Sequence, residues 1–139
     1  MDIQAYDLRH LQVLVVDDSG YMRKLLKAIL RGLGITSVRE AADGADALQH
    51  LRTFAADFVI VDWHMEPLDG LTFVQLVRTA KDSPNRNVPI IMMTGHTEQG
   101  NVEAARAAGV NDFLAKPISA LTVYQRIVRL VESEAAAHA

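Results

Sequence analysis

The sequence contains no cysteine, which rules out a disulfide framework, a thiol nucleophile and a thiolate metal site. That absence fits a reducing compartment, and the expected location is the cytoplasm. No apolar run approaches the roughly 18 residues that a membrane span needs. The polar start Met1-Asp2-Ile3-Gln4 has none of the charged and apolar regions of a secretory signal. A dominant charge is missing as well: the net charge is −3, so the chain has no basic field with which to hold nucleic acid. It also lacks a histidine pair at metal-binding helical spacing, internal repeats, and a low-complexity block other than the Ala-rich end.

What is present is an ordinary globular composition, 139 residues of which half are hydrophobic and 22% charged. One domain over 1–139 is expected, with its core at about 9–133 and flexible ends at 1–8 and 134–139. Leu11-Gln12-Val13-Leu14-Val15-Val16, Phe58-Val59-Ile60-Val61 and Val88-Pro89-Ile90-Ile91-Met92-Met93 read as strands buried on both faces. Thr36 to Ala41 is a more polar strand near an edge, and Val110 to Ala115 a short fifth one. Between them lie helical patterns. Met22, Leu25, Leu26, Ile29, Leu30 and Leu33 recur at spacings of three and four, ahead of a capping Gly34. Further helices carry Ala47, Leu48 and Leu51, then Leu71, Val74 and Val77. A fourth runs from about Glu98 to Ala108 before Gly109, and the last from about Ala120 into the 130s. Asp43-Gly44 and Asp69-Gly70 are turns.

Five strand–helix pairs in strict alternation demand right-handed crossovers and a parallel sheet covered on both faces. The expected fold is an α/β, doubly wound (βα)5 three-layer sandwich with strand order 2-1-3-4-5. In that order Asp17, Asp18 and Asp62 converge at one end of the sheet, with Thr94 and Lys116 beside them. Taken singly, each is an unremarkable turn or surface residue. Together, three carboxylates repel one another unless a cation is present, and an all-oxygen site suits Mg2+ better than Zn2+. With a lysine for phosphate and a hydroxyl donor, the cluster reads as a phosphoryl-transfer site. A carboxylate can itself be the nucleophile, and Asp62, at its strand's own tip, is the best placed.

Val15-Val16-Asp17-Asp18-Ser19, the segment Asp62 to Gly70, Met93-Thr94-Gly95 and Leu114-Ala115-Lys116-Pro117 together resemble the receiver domains of two-component response regulators, over roughly residues 9 to 133. Asp62-Trp63 and a length without room for a DNA-binding module point to the stand-alone, CheY-like members. The resemblance implies that Asp62 is the phosphoacceptor, served by a sensor histidine kinase or histidine phosphotransfer protein. It implies Asp18, Asp62 and the backbone carbonyl of His64 as Mg2+ ligands, with Asp17 orienting a metal-bound water. Lys116 would pair with Asp62 and then with the phosphoryl oxygens, ahead of a cis bond to Pro117. Thr94 and Phe113 would be the switch pair, and His64 and His96 would tune phosphate loss. The output would be a downstream protein bound at the face of the fourth helix, fifth strand and fifth helix, with Ala104, Ala107, Ala108, Tyr124 and Arg126 among its residues. A monomer or weak dimer is expected, acting as a switch rather than an enzyme.

Two departures from the family pattern bear on the site. Glu66 stands where proline is common, with Pro67 next, which alters the loop over Asp62. Phe113 has no hydroxyl, so a switch there works by packing alone. Rival aspartate and phosphate chemistries fit less well. A haloacid-dehalogenase-type phosphatase needs a second acid two residues after its nucleophile, where this chain has His64. The acids Asp17-Asp18 would repel the phosphate of a flavin. Gly32-Leu33-Gly34 follows a helix rather than a strand, so it is no dinucleotide fingerprint.

Overall fold

The apolar runs become strands because each is buried between two layers of helix, and a more polar strand extends the sheet at one edge. The computed structural model describes residues 7–95 and 100–137. In chain order these are β1 (Gln12–Val16), α1 (Gly20–Gly32), β2 (Ser37–Ala41), α2 (Gly44–Thr53), β3 (Phe58–Asp62), α3 (Gly70–Thr79), β4 (Ile90–Thr94), α4 (Val102–Ala108), β5 (Asp112–Ala115) and α5 (Ala120–Ala137). The sheet order is β2-β1-β3-β4-β5 and every neighbouring pair is parallel, as the alternation of strand and helix requires.

The two-residue period of the strands divides the core into two clusters. Leu14, Val16, Val59, Val61, Ile90 and Met92 face Leu51, Phe73, Val74 and Val77 of α2 and α3. Val13, Val15, Phe58, Ile60, Ile91 and Met93 face Leu26, Leu30, Val123 and Ile127 of α1 and α5. β2, at the edge, buries only Ala41 fully. Among the described residues no helix is long and apolar enough to cross a membrane.

The turn residues act as caps. Ser19, Asp43 and Asp69 each accept a hydrogen bond from the backbone N–H three residues on, at 3.2, 2.8 and 2.8 Å, which satisfies open donors at the starts of α1, α2 and α3. Gly109 ends α4 in the left-handed region, φ 112°. Arg78 ties this corner down. Its half-buried guanidinium donates to the carbonyls of Gly109, Arg86 and Val88 and to Asn111 Oδ1, so α3 holds the approach to β5.

Several boundaries differ from those expected. α5 continues to Ala137, past Glu134 where fraying is expected, because its Ala-rich end has high intrinsic helix propensity. Leu8 is buried and belongs to the α1/α5 cluster, with the Leu11 N–H donating to its carbonyl at 3.1 Å; the lead-in therefore joins the core ahead of the apolar run that starts at Leu11. β2 and β5 begin at Ser37 and Asp112. α4 proper begins at Val102, and Glu98, its expected start, lies outside the described residues.

Candidate functional site

Strand register brings the site together. Val16 of β1 pairs with Val61 of β3, so the next residues, Asp17 and Asp62, emerge side by side. Asp62 pairs with Met93 and Thr94 with Ala115, which carries Thr94 and Lys116 to the same edge. This is the carboxyl end of the sheet at its topological switch point, where open α/β folds place ligands.

Asp62 is 5% exposed and Thr94 6%. Lys116 Nζ lies 3.0 Å from Asp62 Oδ1, and the Lys116 N–H donates to the Thr94 carbonyl at 2.8 Å. The Lys116–Pro117 bond is cis, as the resemblance implies; Glu66–Pro67 is cis as well. Asp17 is 1% exposed. Its N–H donates to the Ala41 carbonyl at 3.1 Å, and its Oδ1 accepts from the Ser19 N–H at 2.9 Å. Its Oδ2 is buried without a hydrogen-bond partner.

Each of Asp17, Asp18 and Asp62 offers a carboxylate oxygen, and these lie within 4.8 Å of one another. Burial pushes the Asp17 carboxyl up to about 6; the negative charges of Asp62 and Asp18 add to the rise, while the Ser19 N–H and Lys116 oppose it. One ammonium cannot offset three carboxylates. A buried carboxylate oxygen without a donor, in an excess of negative charge, is the arrangement that a hard divalent cation relieves. The donor set therefore fits Mg2+.

The loop after β3 is held tightly. The Trp63 N–H donates to the Met93 carbonyl at 3.1 Å, and its own carbonyl accepts from the Gly70 N–H at 2.8 Å. A Cβ at Gly70 would collide with the Asp62 carbonyl oxygen, so glycine is required there by the close approach of α3 to the site. His64 and Glu66 are exposed on this loop; His96 lies outside the described residues.

Phe113 stands apart from the acids. It is half-buried against the α2/α3 cluster, with the Arg106 guanidinium 5.2 Å from its ring centroid and Arg126 Nε donating to its carbonyl at 2.8 Å. Ala104 and Ala107 are exposed on α4; Ala108, Tyr124 and Arg126 are half-buried. Sequence reasoning missed Arg106 and the pair Arg23–Glu40, whose atoms meet at 3.2 Å. No periodicity marks a contact between a helix and a distant strand.

The sequence model of the response regulator receiver domain matches residues 13–128. The chain belongs to that family. This receiver domain is 32% identical over 124 residues to the chemotaxis protein CheY-3 of Vibrio cholerae, covering 89% of this chain and 94% of that protein. It is 34% identical over 122 residues to the chemotaxis protein CheY of Pseudomonas aeruginosa, covering 88% and 97%. Among solved structures it resembles the receiver domain of the sensor histidine kinase PA1611 of P. aeruginosa, with a TM-score of 0.76, 30% identity, and coverage of 88% of this chain and 98% of that one. That structure has a magnesium ion coordinated in its active site cleft. The receiver is CheY-like along nearly its whole length.

Proposed function

We propose that this receiver accepts a phosphoryl group on Asp62, from a phosphohistidine of a sensor kinase or histidine phosphotransfer protein, and thereby switches its binding to a downstream protein. The observation that carries this reading is the 3.0 Å ion pair of Lys116 with Asp62, set inside a cluster of three carboxylates. Asp17, Asp18, Asp62 and the backbone carbonyl of His64 would hold Mg2+, with Asp17 acting through a metal-bound water. Bound there, the cation supplies charge neutralisation for an incoming phosphoryl group.

The chain's own residues do the rest. An Asp62 carboxylate oxygen forms the new bond to phosphorus as the phosphorus–nitrogen bond breaks, and the donor imidazole leaves with the electron pair. Lys116, already beside Asp62, stays with the phosphoryl oxygens. The product carries about two negative charges and new acceptors, which the Thr94 hydroxyl satisfies by turning inward. Phe113 then moves into the vacated space. To do so it gives up the Arg106 guanidinium, a contact worth about 0.5–1 kcal/mol at an exposed site. The altered face of α4, β5 and α5 binds the target, with the kinase preferring the unmodified state. His64 and His96 stand where they would tune hydrolysis.

In this reading the domain turns over no separate substrate, contacts neither nucleic acid nor membrane, and works in the cytoplasm as a monomer or weak dimer. Its output is of the chemotaxis or phosphorelay type. Incubation with acetyl phosphate tests the chemistry. Intact mass is expected to rise by one phosphoryl group only when Mg2+ is present, and not at all for Asp62→Asn. A wild-type protein that neither gains phosphate nor responds to the phosphoryl mimic beryllofluoride would instead be a docking module.

A further inference from the structure

Three backbone and side-chain ties fix the chain as it leaves β1. The Asp17 N–H donates to the Ala41 carbonyl, Asp17 Oδ1 accepts from the Ser19 N–H, and the Asp17 carbonyl accepts from Arg23 Nη1 at 2.7 Å. The third tie is the shortest and the only one of the three made by a cation. It acts on the peptide plane that joins Asp17 to Asp18. That plane is rigid, so its rotation decides where the exposed Asp18 carboxylate stands relative to Asp17 and Asp62.

Arg23 is itself aimed by a second contact. Its Nε donates to Glu40 Oε1 at 3.2 Å, while Nη1 reaches the carbonyl. Two nitrogens of one planar fork thus engage two partners, a geometry that a lysine's single nitrogen cannot reproduce. The guanidinium reaches out from α1, one turn past the cap Ser19, and Glu40 stands on the edge strand β2. Glu40 also meets Lys27 Nζ at 3.6 Å. The acid offsets positive charge that would otherwise stand close to a site built to attract a cation. It also gives the polar character of β2 a reason: this strand carries the counter-charge for the loop that β1 delivers.

We propose that Arg23 is a positioning residue for the metal-ligating loop, orienting Asp17 and Asp18 through the Asp17 carbonyl, with Glu40 as its aiming partner and counter-charge. This rests on the Mg2+ reading above. Groups that orient metal ligands from behind typically change affinity by about 10- to 100-fold when removed. A merely structural residue would change stability and leave the affinity of the folded protein alone.

The test compares wild type, Arg23→Met and Arg23→Lys at neutral pH. Mg2+ affinity is read by calorimetric titration and by the fluorescence of Trp63, the chain's single tryptophan, which is buried next to Asp62. Thermal unfolding without metal is measured alongside. The expected result is a Mg2+ dissociation constant raised about 10- to 100-fold in Arg23→Met and raised less in Arg23→Lys, which keeps the charge but loses the fork. A dissociation constant equal to wild type in the folded variants overturns the proposal, whatever their melting temperatures. Should Arg23→Met not fold, Arg23→Lys decides on the same criterion. If wild type itself does not bind Mg2+, the metal reading fails, an outcome distinct from failure of the Arg23 assignment.

Discussion

Replacing Asp17 with asparagine is expected to make the metal-free protein more stable at neutral pH while abolishing its response to Mg2+. The Asp17 carboxyl, ordinarily at 3.8, is pushed up to about 6 in the folded protein, chiefly by burial. The folded state therefore binds the proton more tightly than the unfolded chain does. Between those two values the folded state holds more protons, so stability falls as pH rises. Above about 6 the whole penalty is present, of order 3 kcal/mol for a shift of that size. Asparagine removes the charge, and Asp17→Asn should recover about 1–3 kcal/mol at neutral pH. Below 3.8 the advantage should vanish, since both proteins are then neutral at this position. Mg2+ at ten times its dissociation constant should stabilise wild type by about 1.4 kcal/mol and leave the variant unmoved. Thermal melts across pH, with and without Mg2+, check both halves. An Asp17→Asn protein less stable than wild type at neutral pH would show that the carboxylate is satisfied without a cation.

The second large effect concerns Gly70. Alanine there is expected to destabilise the protein by about 3 kcal/mol and to slow phosphoryl acceptance. Its Cβ would collide with the Asp62 carbonyl and approach the Trp63 Cα to 3.0 Å. Both neighbours are backbone, and the Trp63 peptide is tied on one side to Met93 and on the other to Gly70. Relief can come only by lifting the start of α3 away from the end of β3, which drags Asp62 with it. Gly32→Ala is the matching control. Its Cβ would meet nothing within 4 Å, and replacing a helical glycine should stabilise by about 0.5 kcal/mol. Denaturant midpoints for the pair separate a clash at the site from a general effect of adding a methyl group. Equal midpoints would remove the close approach as the reason for this glycine.

The contrast between Gly70 and Asp62 also shows what could be read from the sequence. Strands buried on both faces are continuous apolar runs, so β1, β3 and β4 stood out, and their alternation with helices called for a parallel sheet, with 2-1-3-4-5 as the leading order. The site followed, because Asp17, Asp62, Thr94 and Lys116 each end or immediately follow an apolar strand. Asp69-Gly70 was legible only as a turn: the aspartate does cap α3, but the approach to the Asp62 carbonyl has no local signature. Arg23 with Glu40, Arg78 with Gly109, and Arg106 with Phe113 were illegible for the same reason. Each joins residues from different elements, and nothing in either segment's pattern names the other. Element ends were the other weak point. Leu8 joins the core from a segment without periodicity, and α5 persists to Ala137 through helix propensity with no apolar stripe to announce it.

The most direct measurement is chemical mapping of the phosphoryl group. Protein incubated with acetyl phosphate and Mg2+ is treated with borohydride, which reduces an acyl phosphate to a primary alcohol, and is then digested and sequenced by mass spectrometry. Homoserine at position 62, absent when acetyl phosphate or Mg2+ is omitted, is the predicted result. Homoserine at Asp17 or Asp18, or a fully unmodified Asp62 peptide from protein that has taken up phosphate, would contradict the assignment of Asp62 as the acceptor.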